Sequence, residues 1–458
     1  MRYISTRGGV DGISFCDAVL MGLASDGGLL VPAQIPSLRD ELAGLQGCTY
    51  QEIAYRVMAP FADDLPADDL RSLIQRSYGA FADERIAPLV AVSDQLHIME
   101  LFHGPTLAFK DVALQFLGNL FEYMLAKNDA TLNLLGATSG DTGSAAIAGV
   151  RGKERINIFV MFPEGRTSAL QERQMTTVLD DNVHSLAIEG SFDDCQAILK
   201  SAFADHDFKE QYHLGAVNSV NWARVLAQTV YYFSAWVQLG CPDRFEVAVP
   251  TGNFGNIFAG YIAREMGLPI EHLILATNAN DILHRFFTTG QYQRGQVHHS
   301  LSPAMDIQIA SNFERYLYFM FDRQADKVRG FMQSFADKGV AAVQFNTVNV
   351  DGRFKSGSVS DKETRQCIKD FYEQEGYVAD PHTAVGIAVA RQVRDPTLPL
   401  VCLATAHPAK FDEALGALGD GIDIRHEALE ALRTSPSARQ PWQRMRKRSK
   451  LSLQPTTD

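Results

Sequence analysis

Apolar residues recur at spacings of three and four from Ala113 through Phe116, Leu117, Leu120, Phe121 and Met124 to Leu125, the period of one buried helix face. The helix so predicted opens at Lys110, directly after the turn-rich stretch ELFHGPTLAFKD, Glu100 to Asp111. Beyond it the pattern shifts to short Ile, Val and Leu runs at Leu132–Leu135, Ile156–Phe162, Val183–Ile188, Glu246–Val249, Leu273–Ala276 and Leu400–Ala404. Helical stretches separate most of these runs, which predicts βαβ units and a mostly parallel sheet covered on both faces. The expected fold class is α/β.

Residues 1–80 read differently, with a helical pattern around Phe15 to Leu23, a turn at Gly27-Gly28 and further helical segments, so an N-terminal helical domain is expected there. A first α/β domain is expected over 81–215 and a second over 216–425. Within the second, Thr288 to Glu375 shows fewer strand signals and reads as an insertion, with the polar FKSGSVSDKET stretch, Phe354 to Thr364, as a mobile loop. The tail 434–458 is rich in Ser, Pro, Arg and Lys, with Arg444, Arg446, Lys447, Arg448 and Lys450 clustered, and too little apolar surface remains there to offset chain entropy, so disorder is expected.

With 458 residues, 46% hydrophobic and 21% charged, the chain can bury a sizeable core. A net charge of −12 argues against nucleic acid or an anionic membrane as the main partner and favours small-molecule chemistry. Six scattered cysteines, Cys16, Cys48, Cys195, Cys241, Cys367 and Cys402, form no C-x-x-C pair and lack histidines at metal-ligand spacing, so they read as reduced thiols and no metal site is expected. No run of about 18 apolar residues occurs and the start lacks a signal-peptide pattern, so a cytoplasmic location is expected.

Candidate chemistry sits at the ends of the strand runs, where open α/β sheets bind ligands. Lys110 occupies the first turn of its helix, where the macrodipole disfavours an ammonium, and Leu107, Ala108 and Phe109 offer apolar surroundings. Both effects lower the pKa of an amine. A neutral amine is what attack on a carbonyl requires, so Lys110 is either a Schiff-base lysine or a helix-flanking surface residue. The loop Gly136 to Gly143, GATSGDTG, opens a helix of small residues whose N–H groups suit a carboxylate or phosphate, with Thr138, Ser139 and Thr142 as hydroxyl donors. Asp141 in that loop reads as a helix cap or as a site carboxylate in need of a cationic partner. Pro250 to Asn256, PTGNFGN, reads as a phosphate nest built on Gly252 and Gly255, with no P-loop lysine. Thr405 is placed at the carboxyl end of the last strand run, and His382 and His407 are either general bases or hydrogen-bonded structural histidines. ATNAND, Ala276 to Asp281, also follows a strand but has no assigned role. A Schiff-base lysine, a nest without a P-loop lysine and a hydroxyl at a strand end together suggest pyridoxal 5′-phosphate.

The motifs HGPTLAFKD, ATSGDTG, PTGNFGN and ATAHPAKF, in this order, resemble those of threonine synthases of the bacterial and fungal type, within the tryptophan-synthase-like, fold type II group of pyridoxal phosphate enzymes. The resemblance runs from the Ser14-Phe15 region to about Leu418. It implies two α/β domains of the tryptophan synthase β-like type closing on the cofactor, after an N-terminal helical extension. It implies that Lys110 bears the cofactor, that Gly252, Asn253, Phe254, Gly255 and Asn256 hold its phosphate, and that Thr405 lies beside the pyridine nitrogen. Asp141 falls where related enzymes place an asparagine near the cofactor's phenolic oxygen. Thr138, Ser139 and Thr142 correspond to the loop that receives the substrate's α-carboxylate. The implied reaction, part of amino-acid biosynthesis, takes O-phospho-L-homoserine and water to L-threonine and phosphate by γ-elimination and β-addition. A phospho-lyase that releases a 2-oxo acid, or a silent scaffold, would keep the same architecture. For the substrate's phosphate, Arg166 and Arg173 are candidates on position alone.

Overall fold

The computed structural model describes residues 1–442 apart from 139, 346–348, 412–414, 419–421 and 423. Two parallel sheets carry the architecture. A five-stranded sheet runs, edge to edge, Gln440–Trp442, Val183–Ile188, Ile156–Pro163, Leu132–Ala137 and Leu214–Ala216, every neighbouring pair parallel. A six-stranded sheet runs Phe354–Ser358, Ile270–Thr277, Phe245–Pro250, Leu400–Ala404, Leu96–Glu100 and Leu89–Ser93, with only the last pair antiparallel. Strands such as Phe245–Pro250 are buried along their whole length, as expected where both faces of a parallel sheet are covered.

Helix Trp222–Gln238 packs against the lysine helix Lys110–Lys127, helix Gly255–Glu265 and helix Tyr50–Met58. That position explains its burial: from Trp222 to Trp236 every residue is buried, and the helix has almost no solvent face to present. The lysine helix also crosses helix Asp141–Val150 very closely. A Cβ at Gly118 would lie 2.0 Å from the carbonyl oxygen of Gly149, and one at Gly149 would lie 2.5 Å from that of Leu114. The backbones touch because neither side chain exists, and this contact draws the GATSGDTG loop towards Lys110.

Several expectations change. The first 80 residues are mainly helical but add a small antiparallel pair, Tyr3–Ser5 with Leu30–Pro32. The sheets do not divide at residue 81. Strand Leu96–Glu100 pairs with Leu400–Ala404, Ile98 opposite Cys402, so the start of the expected first α/β domain belongs to the other sheet; local pattern carries no information about which sheet a strand joins. The polar stretch expected to be a mobile loop is an edge strand, Phe354–Ser358, followed by helix Asp361–Glu375, whose Ser360 and Glu363 form a capping box. An edge strand pairs through its backbone and tolerates polar side chains. The tail is ordered further than expected: Ala438 N–H donates to Thr176 O at 2.8 Å and Gln440–Trp442 joins the five-stranded sheet, while 443–458 lie outside the described residues. All six cysteines are free thiols. Among the described residues no helix is long and apolar enough to cross a membrane, and no group of His, Cys, Asp and Glu is arranged to hold a metal ion.

Candidate active site

One cleft gathers the ends of strands from both sheets. Its lining includes Lys110 with Phe109, Asp141 and Thr142, Arg224 and Gln228, the loop Pro250 to Asn256, and Thr405. The lysine loop is fixed from two sides. Phe109 N–H donates to Thr405 O at 2.8 Å, and His407 N–H donates to Leu107 O at 3.1 Å, which ties the lysine to the end of strand Leu400–Ala404. Asp111, one residue past Lys110, turns back to accept from Thr106 N–H at 2.8 Å and from its hydroxyl at 2.7 Å. Leu107 sits at φ +59°, a left-handed conformation unfavourable for a leucine, which this bonding stabilises.

Lys110 is the first residue of its helix, and its side chain is 12% exposed. Burial pushes its pKa down, and the neighbouring ammonium of Lys410 and guanidinium of Arg224 push the same way against the opposing pull of Asp141. Asp141 does not cap its helix. Its Oδ1 accepts from Lys410 Nζ at 2.7 Å and from Gln171 Nε2 at 3.1 Å, while Oδ2 stands 3.6 Å from Lys110 Nζ. Burial alone would raise this carboxyl, but the two lysines outweigh it and hold the group well below the usual carboxylate range. The cationic partner that Asp141 needs is therefore Lys410, fully buried at the end of ATAHPAKF.

The nest Pro250 to Asn256 leads into helix Gly255–Glu265, whose first N–H groups have no partner within the helix. Phe254 takes φ +64°, and a Cβ at Gly252 would lie 2.7 Å from the carbonyl oxygen of Ala304, so the loop presses against its neighbour where only glycine fits. Asn256 Oδ1 accepts from the hydroxyls of Tyr231 and Tyr232, which aims its amide; Nδ2 is buried without a partner among the described residues. Asn278 and Asn280 of ATNAND bond Asp306 at 2.9 and 3.1 Å and so shape the loop that brings Ala304 and Met305 to the cleft.

Arg224 is the residue that sequence reasoning missed. It is 3% exposed, Nη1 donates to Asn218 O at 2.7 Å, and Nε is buried without a partner among the described residues. Burial brings its pKa down to about 10, so it stays a cation at neutral pH. Its signal was available: NSVNWAR follows strand Leu214–Ala216, but three residues were too few to stand out as a strand. Arg166 and Arg173 are elsewhere. Arg166 is exposed, and Arg173 donates to Leu432 O and Ser435 O at 2.5 and 2.6 Å, pinning the C-terminal helix Glu427–Thr434.

The remaining expected residues divide. Thr142 and Thr405 line the cleft. Thr138 does not: its hydroxyl accepts from Gly140 N–H at 3.1 Å and Gly143 N–H at 3.0 Å, shaping the loop from within. Ser139 lies outside the described residues. His382 lines the cleft but is held on both nitrogens, Nδ1 2.9 Å from Asp380 Oδ1 and Nε2 accepting from Ala304 N–H at 3.2 Å. His407 accepts from Ala409 N–H at 3.2 Å, and burial pushes its pKa down to about 4. Both are thus held by hydrogen bonds within the fold.

Residues 2–78 match the family described as threonine synthase N terminus, 84–399 the pyridoxal-phosphate dependent enzymes, and 383–448 the family described as threonine synthase, C-terminal. A threonine synthase of Pseudomonas aeruginosa is 49% identical, the alignment covering 92% of this chain and 91% of that one. One from Schizosaccharomyces pombe is 44% identical over 91% of this chain and 88% of its own. The crystal structure of a PLP-bound threonine synthase from Brucella melitensis superposes with a TM-score of 0.93 at 44% identity, covering 97% and 96% of the two chains.

Proposed function

The chain belongs to the threonine synthase family of pyridoxal-phosphate-dependent lyases, and from that premise we propose that its cleft converts O-phospho-L-homoserine and water to L-threonine and phosphate in the cytoplasm. The observation that carries this reading is the joint presence, in one cleft, of a buried lysine with lowered pKa and two separate unpaired donors for anions, Asn256 Nδ2 and Arg224 Nε.

The cleft fits the cofactor. Lys110 offers the amine for its aldehyde. Gly252, Asn253, Phe254, Gly255 and Asn256 offer a glycine cradle and a helix N-terminus for its phosphate, and Thr405 offers a hydroxyl for its ring nitrogen. When bound, pyridoxal phosphate withdraws electrons from the substrate's α-carbon and so permits chemistry at Cα, Cβ and Cγ. The protein's residues do the rest. Thr142 and the helix start beside it receive the α-carboxylate, with Ser139 in the same loop. Arg224 holds the phosphate that leaves from Cγ, and the Lys110 amine moves protons at Cα and Cβ. Asp141, neutralised by Lys410, contributes no repulsion towards a bound anion.

Incubating the purified protein with pyridoxal phosphate and O-phospho-L-homoserine should release threonine and phosphate one for one. Phosphate with 2-oxobutyrate would place the chain among phospho-lyases, and no phosphate would overturn the substrate. Gly252→Ala should weaken cofactor binding by at least about tenfold, because the added methyl meets a backbone oxygen that cannot give way. Cofactor titration followed by visible absorbance checks it, with the melting curve of the cofactor-free chain recorded to separate lost affinity from the destabilisation that the same clash causes.

A further inference from the structure

Asp141 lies between two lysines, and the two contacts are unequal. Lys410 Nζ sits 2.7 Å from Oδ1 and also donates to Thr106 O at 2.8 Å, so it is a fixed, fully buried partner. Lys110 Nζ stands 3.6 Å from Oδ2, beyond hydrogen-bond distance. We propose that Lys410 is a positioning residue: it takes Asp141 as its own ion pair and so keeps the Lys110 amine from being locked to that carboxylate. The inference rests on the reading of Lys110 as the cofactor-bearing lysine.

The groups around Lys110 leave Asp141 as the anion that matters. From helix Asp141–Val150 comes Asp141 itself; from the turn Pro408–Lys410 comes Lys410; from helix Trp222–Gln238 comes Arg224. Asp111 of the lysine helix is turned to Thr106, and His382 of helix Pro381–Val393 is paired with Asp380. Without Lys410, Asp141 keeps the amide of Gln171 and gains Lys110 as its nearest cation. In a poorly solvated cleft that attraction is strong, and a lysine held as ammonium cannot attack a carbonyl. Thr106 O would lose one of its two donors but keeps Gln174 Nε2 at 3.0 Å, and the Thr106 amide and hydroxyl remain anchored by Asp111.

The test uses the full-length chain stripped of cofactor, to which pyridoxal phosphate is returned while the visible band is followed from about pH 6.5 to 9.5. Lys410→Met should slow reconstitution at neutral pH by about tenfold and move the rise of the rate about one unit towards higher pH. The double variant Lys410→Met/Asp141→Asn should return to within about threefold of wild type, because the stranded carboxylate is gone. Lys410→Arg, which keeps the charge, should retain the wild-type profile. A Lys410→Met profile equal to wild type, or a double variant as slow as Lys410→Met, would overturn the proposal. Borohydride trapping and peptide mapping of the wild type separates the two readings. Cofactor found on another residue removes the role of Lys110, whereas cofactor on Lys110 with an unmoved Lys410→Met profile removes only the role of Lys410.

Discussion

Lys110→Ala should abolish the visible band of the reconstituted protein and lower kcat/KM for O-phospho-L-homoserine by on the order of 10⁴-fold, the scale expected when a covalent attachment and a proton shuttle are lost together. The fold should survive the change. Lys110 begins its helix, alanine is the best helix former, and Asp141, the carboxylate 3.6 Å from Lys110 Nζ, keeps Lys410 as a closer partner. The cofactor-free variant should therefore melt within a few degrees of wild type, so that lost activity reports chemistry and not unfolding. Lys410 cannot substitute, because its ammonium is fully buried and already bonded to Asp141 and Thr106. Activity within about tenfold of wild type would mean that another amine carries the reaction.

The parts of this site that were legible in the sequence are those written in one stretch of chain. The strand runs at Ile156, Val183 and Leu400 fall where the strands lie, and the loops after Leu135 and Val249 turn into helices as their glycines and small residues suggest. Lys110, the nest at Gly252 and Thr405 each follow from local pattern plus the rule that ligands sit at strand ends. What was not legible depends on contacts across long separations. The Asp141–Lys410 pair joins two motifs that were both visible, yet no periodicity links them. Gly118 and Gly149 look like weak helix residues until the two backbones are seen to meet. Leu214–Ala216 is too short to announce the loop that delivers Arg224, and Arg173, attractive by position, turns out to hold the C-terminal helix. Thr138 reads as a hydroxyl donor and, by resemblance, as part of the loop for the substrate's carboxylate, and in the structure its hydroxyl accepts from that loop's own amides.

Arg224→Met should lower kcat/KM for O-phospho-L-homoserine by about 10²- to 10⁴-fold, since up to two charge-assisted hydrogen bonds of about 1.5–3 kcal/mol each are removed and about 1.4 kcal/mol corresponds to tenfold. The guanidinium is held ready: Nη1 is anchored on Asn218 O at 2.7 Å, and Nε is buried with no hydrogen-bond partner among the described residues. A buried donor left unpaired is unfavourable, so an anion bound beside Arg224 Nε would relieve that cost. With a pKa near 10, the group remains charged throughout the neutral range, so the dependence of KM on pH below about 9 should come from the substrate and from Lys110, not from this arginine. Arg224→Lys keeps the charge but loses the planar fork, and should fall between wild type and Arg224→Met. The variant also decides which phosphate Arg224 serves. If it holds the substrate's leaving group, cofactor affinity stays within about threefold of wild type while kcat/KM falls and inorganic phosphate ceases to inhibit. If cofactor affinity collapses instead and the saturated enzyme keeps its kcat/KM, Arg224 belongs to the cofactor's phosphate, and the cation for the substrate must be sought elsewhere along the same cleft.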